Sequence, residues 1–223
     1  MDKSVFTLVF GFLLGVKHAF ETDHIIAVSN ILAEQKSSLK AALVGTFWGI
    51  GHTTTIFVIG VFVLLLRISI TAEISNLLEF GVGIMLVFIG IQNIVQGRVM
   101  FHTHPHTHEG KSHTHAHPHV REKTLHAHHK SFIIGIIHGL AGSGALMLLV
   151  LSTISSPLQG MYYIAVFGIG SILGMTISSF ILGTPFVYGV NKFPNIEKYI
   201  RITAGTVSLL FGIFLLINRI YFS

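Results

Sequence analysis

The stretch GVKHAFETDHIIAVSNIL, residues 15–32, places five ionisable side chains within eight residues: Lys17, His18, Glu21, Asp23 and His24. The flanking segments, VFTLVFGFLLGV and IIAVSNIL, are apolar enough to lie in lipid. An ionisable group at the centre of a bilayer costs about 2.5–3.5 kcal/mol. A cluster of such groups in this setting therefore indicates a functional site within a membrane-spanning segment.

The composition of the whole chain is that of a membrane protein. Its 223 residues are 51% hydrophobic and only 10% charged, whereas a soluble domain carries about 25% charged residues. A helix needs about 20 apolar residues to cross the bilayer, and six runs meet this requirement: residues 4–33, 41–66, 77–97, 132–153, 161–183 and 200–221. We expect an all-α polytopic membrane protein with six transmembrane helices and no soluble catalytic domain.

The positive charges predict the orientation of this protein. Ten Lys and Arg residues follow the first, third and fifth predicted spans, and three lie on the opposite side. Because cytoplasmic loops carry the excess of positive charge, both termini are predicted to be external and the protein to lie in the inner cell membrane. The computed pI near 9.6 then reflects topology, and we expect no nucleic-acid partner.

Two sequence features recur in the two halves of the chain. GVKHAF at residues 15–20 has a counterpart in GIIHGL at residues 135–140, which aligns His18 with His138. The third and sixth spans each carry two glycines seven residues apart, at positions 83 and 90 and at positions 205 and 212. Residues 1–97 and 132–223 are therefore predicted to be two three-helix repeats of opposite orientation. The alternative is chance similarity between glycine-rich helices.

Residues 98–131, between the halves, contain eleven of the fifteen histidines and few apolar residues. We expect this cytoplasmic loop to be disordered and to capture metal, since His-rich tracts bind metal ions. The alternating histidines are the candidates for capture: His102, His104, His106, His108, His113, His115, His117 and His119. A linker that acquired histidines by drift is the alternative. A metal-binding loop on this side also fits a cytoplasmic metal acceptor as a partner.

The other four histidines, His18, His24, His52 and His138, all fall within predicted spans. On a straight helix His18, Glu21 and His24 share one side, and Asp23 points away from it. Asp23 could join His18 and His24 at one ion only if the helix unwinds. Otherwise it could orient an imidazole from another span. Broken helices are common in transporters, and the alternative is a long tilted helix whose carboxylates reach towards the surface.

The second span supplies a further candidate in GTFWGIGHTTTIF, where His52 is followed by three threonines. The candidate metal ligands are His18, Asp23, His24 and His52. Glu21, Thr53 and His138 are further candidates for contacting the ion or supporting its ligands. The chain has no cysteine, no H-E-x-x-H motif and no phosphate-binding loop, so we do not expect an enzyme.

KHAFETDHIIAVSNIL, residues 17–32, resembles the H-x4-D-H signature of the nickel/cobalt transporter family, and GIGHTTTIF, residues 49–57, resembles that family's second motif. The resemblance covers the first two spans and implies permeation of Ni²⁺ or Co²⁺. It assigns His18, Asp23 and His24 to the signature and His52 to the second motif. Six spans with a His-rich central loop are similar to both urease-associated nickel permeases and nickel/cobalt efflux proteins. Glu21-Thr22 replaces a commoner pair of small residues.

The function that we expect is uptake of Ni²⁺ or Co²⁺ by alternating access, without ATP. The metal is the transported substrate, and no prosthetic group is expected. Efflux by proton exchange is the alternative, and an intramembrane metal sensor or metalloenzyme is a third hypothesis. The expected partners are the metal ion and the lipid bilayer. The sequence leaves the direction of transport, the choice between the two metals and the oligomeric state open.

Overall fold

The computed structural model describes residues 3–66, 71–99, 103–108, 111–116, 124–141, 156–193 and 196–221. Its helices are α1 Lys3–His18, α2 Thr22–Leu32, α3 Ser38–Leu66, α4 Ala72–Val99, α5 Thr124–Ala141, α6 Pro157–Lys192 and α7 Ile196–Tyr221. The strands β1 Thr103–His108 and β2 Lys111–Ala116 form a hairpin. The predicted helical, polytopic membrane architecture is confirmed, with this hairpin as an addition.

Four of the helices are long and apolar enough to cross a membrane: α3, α4, α6 and α7. The helices α1 and α2 form a fifth such span when taken together, and they are bent by 53° at the break between them. The predicted break in the first span is therefore confirmed, and a straight tilted helix is wrong. The predicted span 132–153 coincides with α5 as far as Ala141, and its remainder lies outside the described residues. A sixth span stays a prediction.

The break between α1 and α2 has a local backbone cause. The amides of Phe20 and Glu21 bond to the carbonyls of Lys17 and His18, both at 3.0 Å, which tightens the chain into a turn. Glu21 then adopts an extended conformation, with φ −65° and ψ 152°, immediately before α2. Asp23 consequently lies in the first turn of α2, where a helix favours negative charge.

The hairpin differs from the disorder that the composition of residues 98–131 predicts. Its antiparallel register pairs His104 with His115 and His106 with His113. Histidine alternates with other residues along both strands, and a period of two residues is the period of a β-strand. His102, His117 and His119 lie outside the described residues, and α5 begins at Thr124.

Helix α3 packs against α5 and α6, α1 packs against α6, and α4 packs against α7. Glycine permits the closest approaches. A Cβ atom at Gly135 of α5 would meet the backbone carbonyl of Trp48 in α3, and one at Gly15 of α1 would meet the carbonyl of Phe167 in α6. Small residues let membrane helices approach in this way, and the approach brings the ends of α1 and α5 close to α3.

Candidate metal centre

The four intramembrane histidines converge on one buried cluster, which we call the histidine cluster. His18 ends α1, His24 lies in the first turn of α2, His52 is in α3 and His138 is in α5. Each is at most 1% exposed. The ring centroid of His24 lies 4.4 Å from that of His18, 5.1 Å from that of His52 and 4.2 Å from that of His138. His24 is therefore the central member.

One group in this cluster consists of three imidazoles from three helices. One ring nitrogen from each of His18, His24 and His52 lies within 4.8 Å of the others. The Nε2 atoms of His18 and His52 are 3.1 Å apart. Nε2 of His24 is buried and has no hydrogen-bond partner among the described residues. Three nitrogen donors at these separations form a candidate site for one metal ion.

Asp23 connects His24 to a histidine of the second half of the chain. Its Oδ1 lies 3.1 Å from Nδ1 of His24, and its Oδ2 accepts a hydrogen bond from Nε2 of His138 at 3.0 Å. Asp23, His24 and His138 form a second group whose ligand atoms lie within 4.8 Å of one another. The helix break and the contact with another span, which the sequence offered as alternatives, therefore occur together.

Glu21 lies beside His18 at the more accessible side of the cluster. Its Oε2 is 2.9 Å from Nδ1 of His18, and its side chain is 33% exposed, whereas that of His18 is 1% exposed. A carboxylate next to Nδ1 favours the tautomer that carries its proton there, because the negative charge stabilises that hydrogen. The lone pair of Nε2 is then free to face the cluster. Carboxylates orient metal-binding imidazoles in this way.

The structure does not bring Thr53 to the histidine cluster. Its hydroxyl donates a hydrogen bond to the backbone carbonyl of Gly168 in α6 at 3.2 Å. Thr55 similarly donates to the carbonyl of Ile136 in α5 at 3.1 Å. Among the described contacts, these threonines connect α3 to its neighbouring helices.

Two aromatic side chains that the sequence did not single out form walls of the cluster. The ring of Trp48 lies 5.4 Å from that of His24 and 5.5 Å from that of His138. The ring of Phe167 lies 5.6 Å from that of His18. Trp48 precedes His52 by four residues, a helical spacing that puts both on one face and could have identified it. We find no comparable sequence pattern for Phe167.

The chemistry of this site favours a divalent transition metal. Imidazole nitrogens bind zinc, copper, iron and nickel in preference to calcium or magnesium. Asp23 and Glu21 together supply two negative charges, which match the charge of a dication when both are ionised. Buried charges are normally paired or bound to a metal.

Relatives of known name point in the same direction. The family model described as cytochrome C biogenesis protein transmembrane region matches residues 7–214. The chain is 43% identical to the urease accessory protein UreH of Bacillus sp. (strain TB-90), over 95% of this chain and 90% of that protein. A protein of Methanocaldococcus jannaschii named as a nickel/cobalt efflux system is 25% identical over 94% of this chain and 91% of its own length.

The nickel transporter NixA of Staphylococcus aureus is 30% identical over 39% of this chain and 28% of its own length. No solved structure matches the chain. Two of these relatives are named as nickel or nickel/cobalt transport proteins, and one is named as a urease accessory protein. The chain belongs to the family of the cytochrome C biogenesis protein transmembrane region, and UreH is a relative over nearly the whole length of both chains.

Proposed function

We propose that the chain transports a divalent transition-metal ion, Ni²⁺ or Co²⁺, and that Nε2 atoms of His18, His24 and His52 hold the ion in transit. The observation that carries this proposal is the convergence of three buried imidazoles from three helices, with one nitrogen each within 4.8 Å. The relatives named for nickel and cobalt support the choice of metal. Copper would bind such ligands more tightly, so the geometry of the site and the availability of the metal must provide selectivity.

Asp23 and Glu21 act in this proposal by positioning imidazoles and by balancing charge. Each carboxylate contacts a ring nitrogen of a histidine in the cluster. Loss of such an outer contact typically lowers metal affinity by about 10–100-fold. His138 shares Asp23 with His24, and the group of Asp23, His24 and His138 offers the ion a second position one imidazole away.

The proposed mechanism is alternating access by two inverted repeats. Reciprocal contacts between α4 and α7 support the repeat. A Cβ atom at Gly90 would approach the carbonyl of Gly205, and one at Gly212 would approach the carbonyl of Gly83. In the two repeats, position 83 corresponds to position 205 and position 90 to position 212. The contact of Gly90 with Gly205 therefore corresponds to the contact of Gly212 with Gly83. His18 and His138 occupy equivalent positions in the two repeats, so rocking of one repeat against the other would change access to the site between them.

We propose that the direction is uptake. An inward-negative membrane potential contributes about 2.3 kcal/mol per charge per 100 mV, which for a dication is a substantial driving force without ATP. The positive charges place the Glu34 end of α2 and the His-rich loop in the cytoplasm. The loop would then capture arriving metal and pass it to a cytoplasmic acceptor.

Efflux is the alternative that a specific observation favours, since the relative from Methanocaldococcus jannaschii is named as an efflux system. Efflux against the potential requires an exchanged ion. Protons are the candidates, because histidines change charge near neutral pH. A sensor or metalloenzyme would instead hold its ion tightly and show no flux.

A flux assay distinguishes these functions. The purified chain is placed in vesicles that contain a fluorescent metal indicator, and Ni²⁺, Co²⁺, Zn²⁺ or Cu²⁺ is added outside with and without an imposed voltage. We expect Ni²⁺ and Co²⁺ to enter faster when the interior is negative. The His18→Ala variant should give the rate of protein-free vesicles. Flux that requires a proton gradient would favour exchange, and an absence of flux in the unaltered chain would refute transport.

A further inference from the structure

Polar side chains recur on one face of α2 between the histidine cluster and the end of the helix, with the buried apolar Ala27 between the first two. Asp23, Ala27 and Asn30 lie four and three residues apart, which places them on one face of α2. Glu34 follows four residues later, in the turn after the helix. Since α2 has 11 residues, this face spans about 16 Å. We call the set Asn30, Glu34, Asn93, Lys130 and Arg201 the polar column.

The first layer of the polar column is a pair of buried amides. Asn30 in α2 and Asn93 in α4 are each 1% exposed. Nδ2 of Asn93 donates to the backbone carbonyl of Asn30 at 2.9 Å and to its Oδ1 at 2.7 Å. Oδ1 of Asn93 is buried and receives no hydrogen bond from any described residue. Buried amide oxygens are normally paired, so this oxygen needs an explanation.

The second layer is an ionic cluster between the two halves of the chain. Oε1 of Glu34 accepts hydrogen bonds from Nζ of Lys130 at 3.5 Å and from Nη1 of Arg201 at 3.2 Å. Lys130 lies in α5, and Arg201 lies in the first turns of α7. The side chain of Arg201 is 11% exposed and also contacts Glu197. Glu34 thus connects the first half of the chain to one cation of α5 and one of α7.

The region around α2 contacts α5 on both sides of the Asn30–Asn93 pair. At one end, Asp23 contacts His138 of α5. At the other end, Glu34 contacts Lys130 of the same helix, eight residues away. Asp23 and Glu34 therefore each reach α5 by a side-chain contact, and between them Asn30 of α2 contacts Asn93 of α4.

We propose that the polar column is the route of the metal ion between the histidine cluster and the Glu34 end of the bundle. This inference rests on the proposed transport function. Asn30 and Asn93 form an oxygen subsite on the route, and the contacts of Glu34 with Lys130 and Arg201 close it in this conformation. When the amide of Asn93 turns over, its oxygen joins the two oxygens of Asn30, and three acceptors face a passing cation.

The ligand types fit transit better than storage. Nickel and cobalt bind imidazole nitrogen more readily than amide oxygen, which suits harder cations. An oxygen subsite next to the nitrogen site then binds the ion weakly enough for the ion to leave. Conduction requires weak binding of this kind along the route. Lys130 and Arg201 balance the charges of Glu34 and Glu197, so the cluster offers a dication no free carboxylate, and this end opens only when these ion pairs separate.

A simple packing role is the competing explanation, since asparagines often join membrane helices by hydrogen bonds. Three variants distinguish the two roles. Each is made in a chain that lacks residues 102–119 and carries alanine in place of His126, His128 and His129, so that loop histidines do not bind the metal. Asn93→Leu keeps the approximate volume and removes the oxygen. Asn93→Asp replaces the amide by a carboxylate. Ser208→Ala is the matched control, because Ser208 is buried between α4 and α7 and bonds only to the carbonyl of Leu86 in the described contacts.

Equilibrium dialysis measures Ni²⁺ binding in detergent, and vesicle uptake measures flux. For Asn93→Leu we expect unchanged Ni²⁺ binding. We expect a flux at least about tenfold lower, because the variant loses one favourable contact on the route. For Asn93→Asp we expect a lower apparent KM together with a lower maximal rate, because a carboxylate retains the ion. Ser208→Ala should match the unaltered chain in both measurements.

Wild-type flux in a folded Asn93→Leu protein would overturn the route while leaving the proposed function intact. If Asn93→Leu does not fold, the apparent KM of Asn93→Asp decides, since a packing role predicts lower stability with an unchanged KM. Failure of the proposed function gives a different result: the unaltered chain itself would neither bind nor transport Ni²⁺.

Discussion

Nε2 of His18 lies 3.1 Å from Nε2 of His52, although the two residues are 34 positions apart and lie on different helices. Two such nitrogens cannot both point a hydrogen at each other, so at least one lone pair faces the space between them. Glu21 favours the proton of His18 on Nδ1, which makes Nε2 of His18 the acceptor. In the proposed function, a cation bound between the two nitrogens would replace this one hydrogen bond by two coordination bonds.

His24 belongs to both candidate ligand groups, and His138 belongs to one. The His24→Ala variant is therefore expected to lose detectable Ni²⁺ binding, whereas His138→Ala should weaken binding by about 10–100-fold, as for loss of a supporting contact. Isothermal titration calorimetry on protein without residues 102–119 measures both. Equal affinities in the two variants would contradict the central position of His24.

Glu21 is expected to act through His18. Glu21→Gln removes the charge that holds the proton on Nδ1, and we expect Ni²⁺ affinity to fall by about 10-fold or more with no change in melting temperature. Glu73→Gln is the matched control, because Glu73 is exposed in the first turn of α4. Competition with a metal indicator measures the affinity. An affinity of Glu21→Gln equal to that of the control would show that Glu21 does not position the imidazole.

A residue larger than glycine at position 135 is expected to disrupt the packing of α5 against α3. A methyl group there would meet the carbonyl of Trp48, and overpacking of this kind costs about 1–3 kcal/mol. Gly81 in α4 is the control, since no atom lies within 4 Å of a Cβ placed there. Thermal unfolding followed by size-exclusion chromatography should show a lower melting temperature for Gly135→Ala and an unchanged or higher one for Gly81→Ala. A stable Gly135→Ala protein would mean that α3 and α5 do not pack so closely.

Several features of the site could be predicted from the sequence. Helical spacing and the free-energy cost of an ionisable group in the bilayer both depend on the local sequence. The apolar runs defined the long helices, and the length of the first run together with its charged centre favoured a break. His18, His24 and His52 were candidates because ionisable side chains in the bilayer are energetically costly and therefore indicate a function. The motif similarity pointed to the same residues, and the relatives confirm the family.

The remaining features depend on tertiary packing, which a single sequence does not reveal. Nothing local shows that Asp23 reaches His138, 115 positions away, or that Asn93 reaches Asn30. Thr53 was a candidate because it follows His52, yet helix packing turns its hydroxyl towards Gly168. The alternation of histidine and other residues in the loop has the period of a strand, but composition favoured disorder.

The orientation of the chain predicts which positions a membrane-impermeant thiol reagent reaches. The chain contains no cysteine, so single cysteines can be introduced without background labelling. Lys36→Cys and Glu73→Cys alter exposed residues, one just before α3 and the other in the first turn of α4, on opposite sides of the span formed by α3. In intact cells we expect labelling of Glu73→Cys only, because the orientation predicted from the positive charges has position 36 in the cytoplasm. Labelling of Lys36→Cys alone would reverse the orientation and with it the proposed role of the loop.

Coordination of the metal by buried imidazoles is the central claim, and X-ray absorption at the nickel edge tests it most directly. The sample is Ni²⁺-loaded protein that lacks residues 102–119 and carries alanine in place of His126, His128 and His129, so that only the intramembrane histidines contribute imidazole scattering. We predict a nitrogen-dominated shell with the multiple-scattering pattern of about three imidazoles, lost in the His24→Ala variant. An all-oxygen shell, or the same spectrum from His24→Ala, would contradict the account.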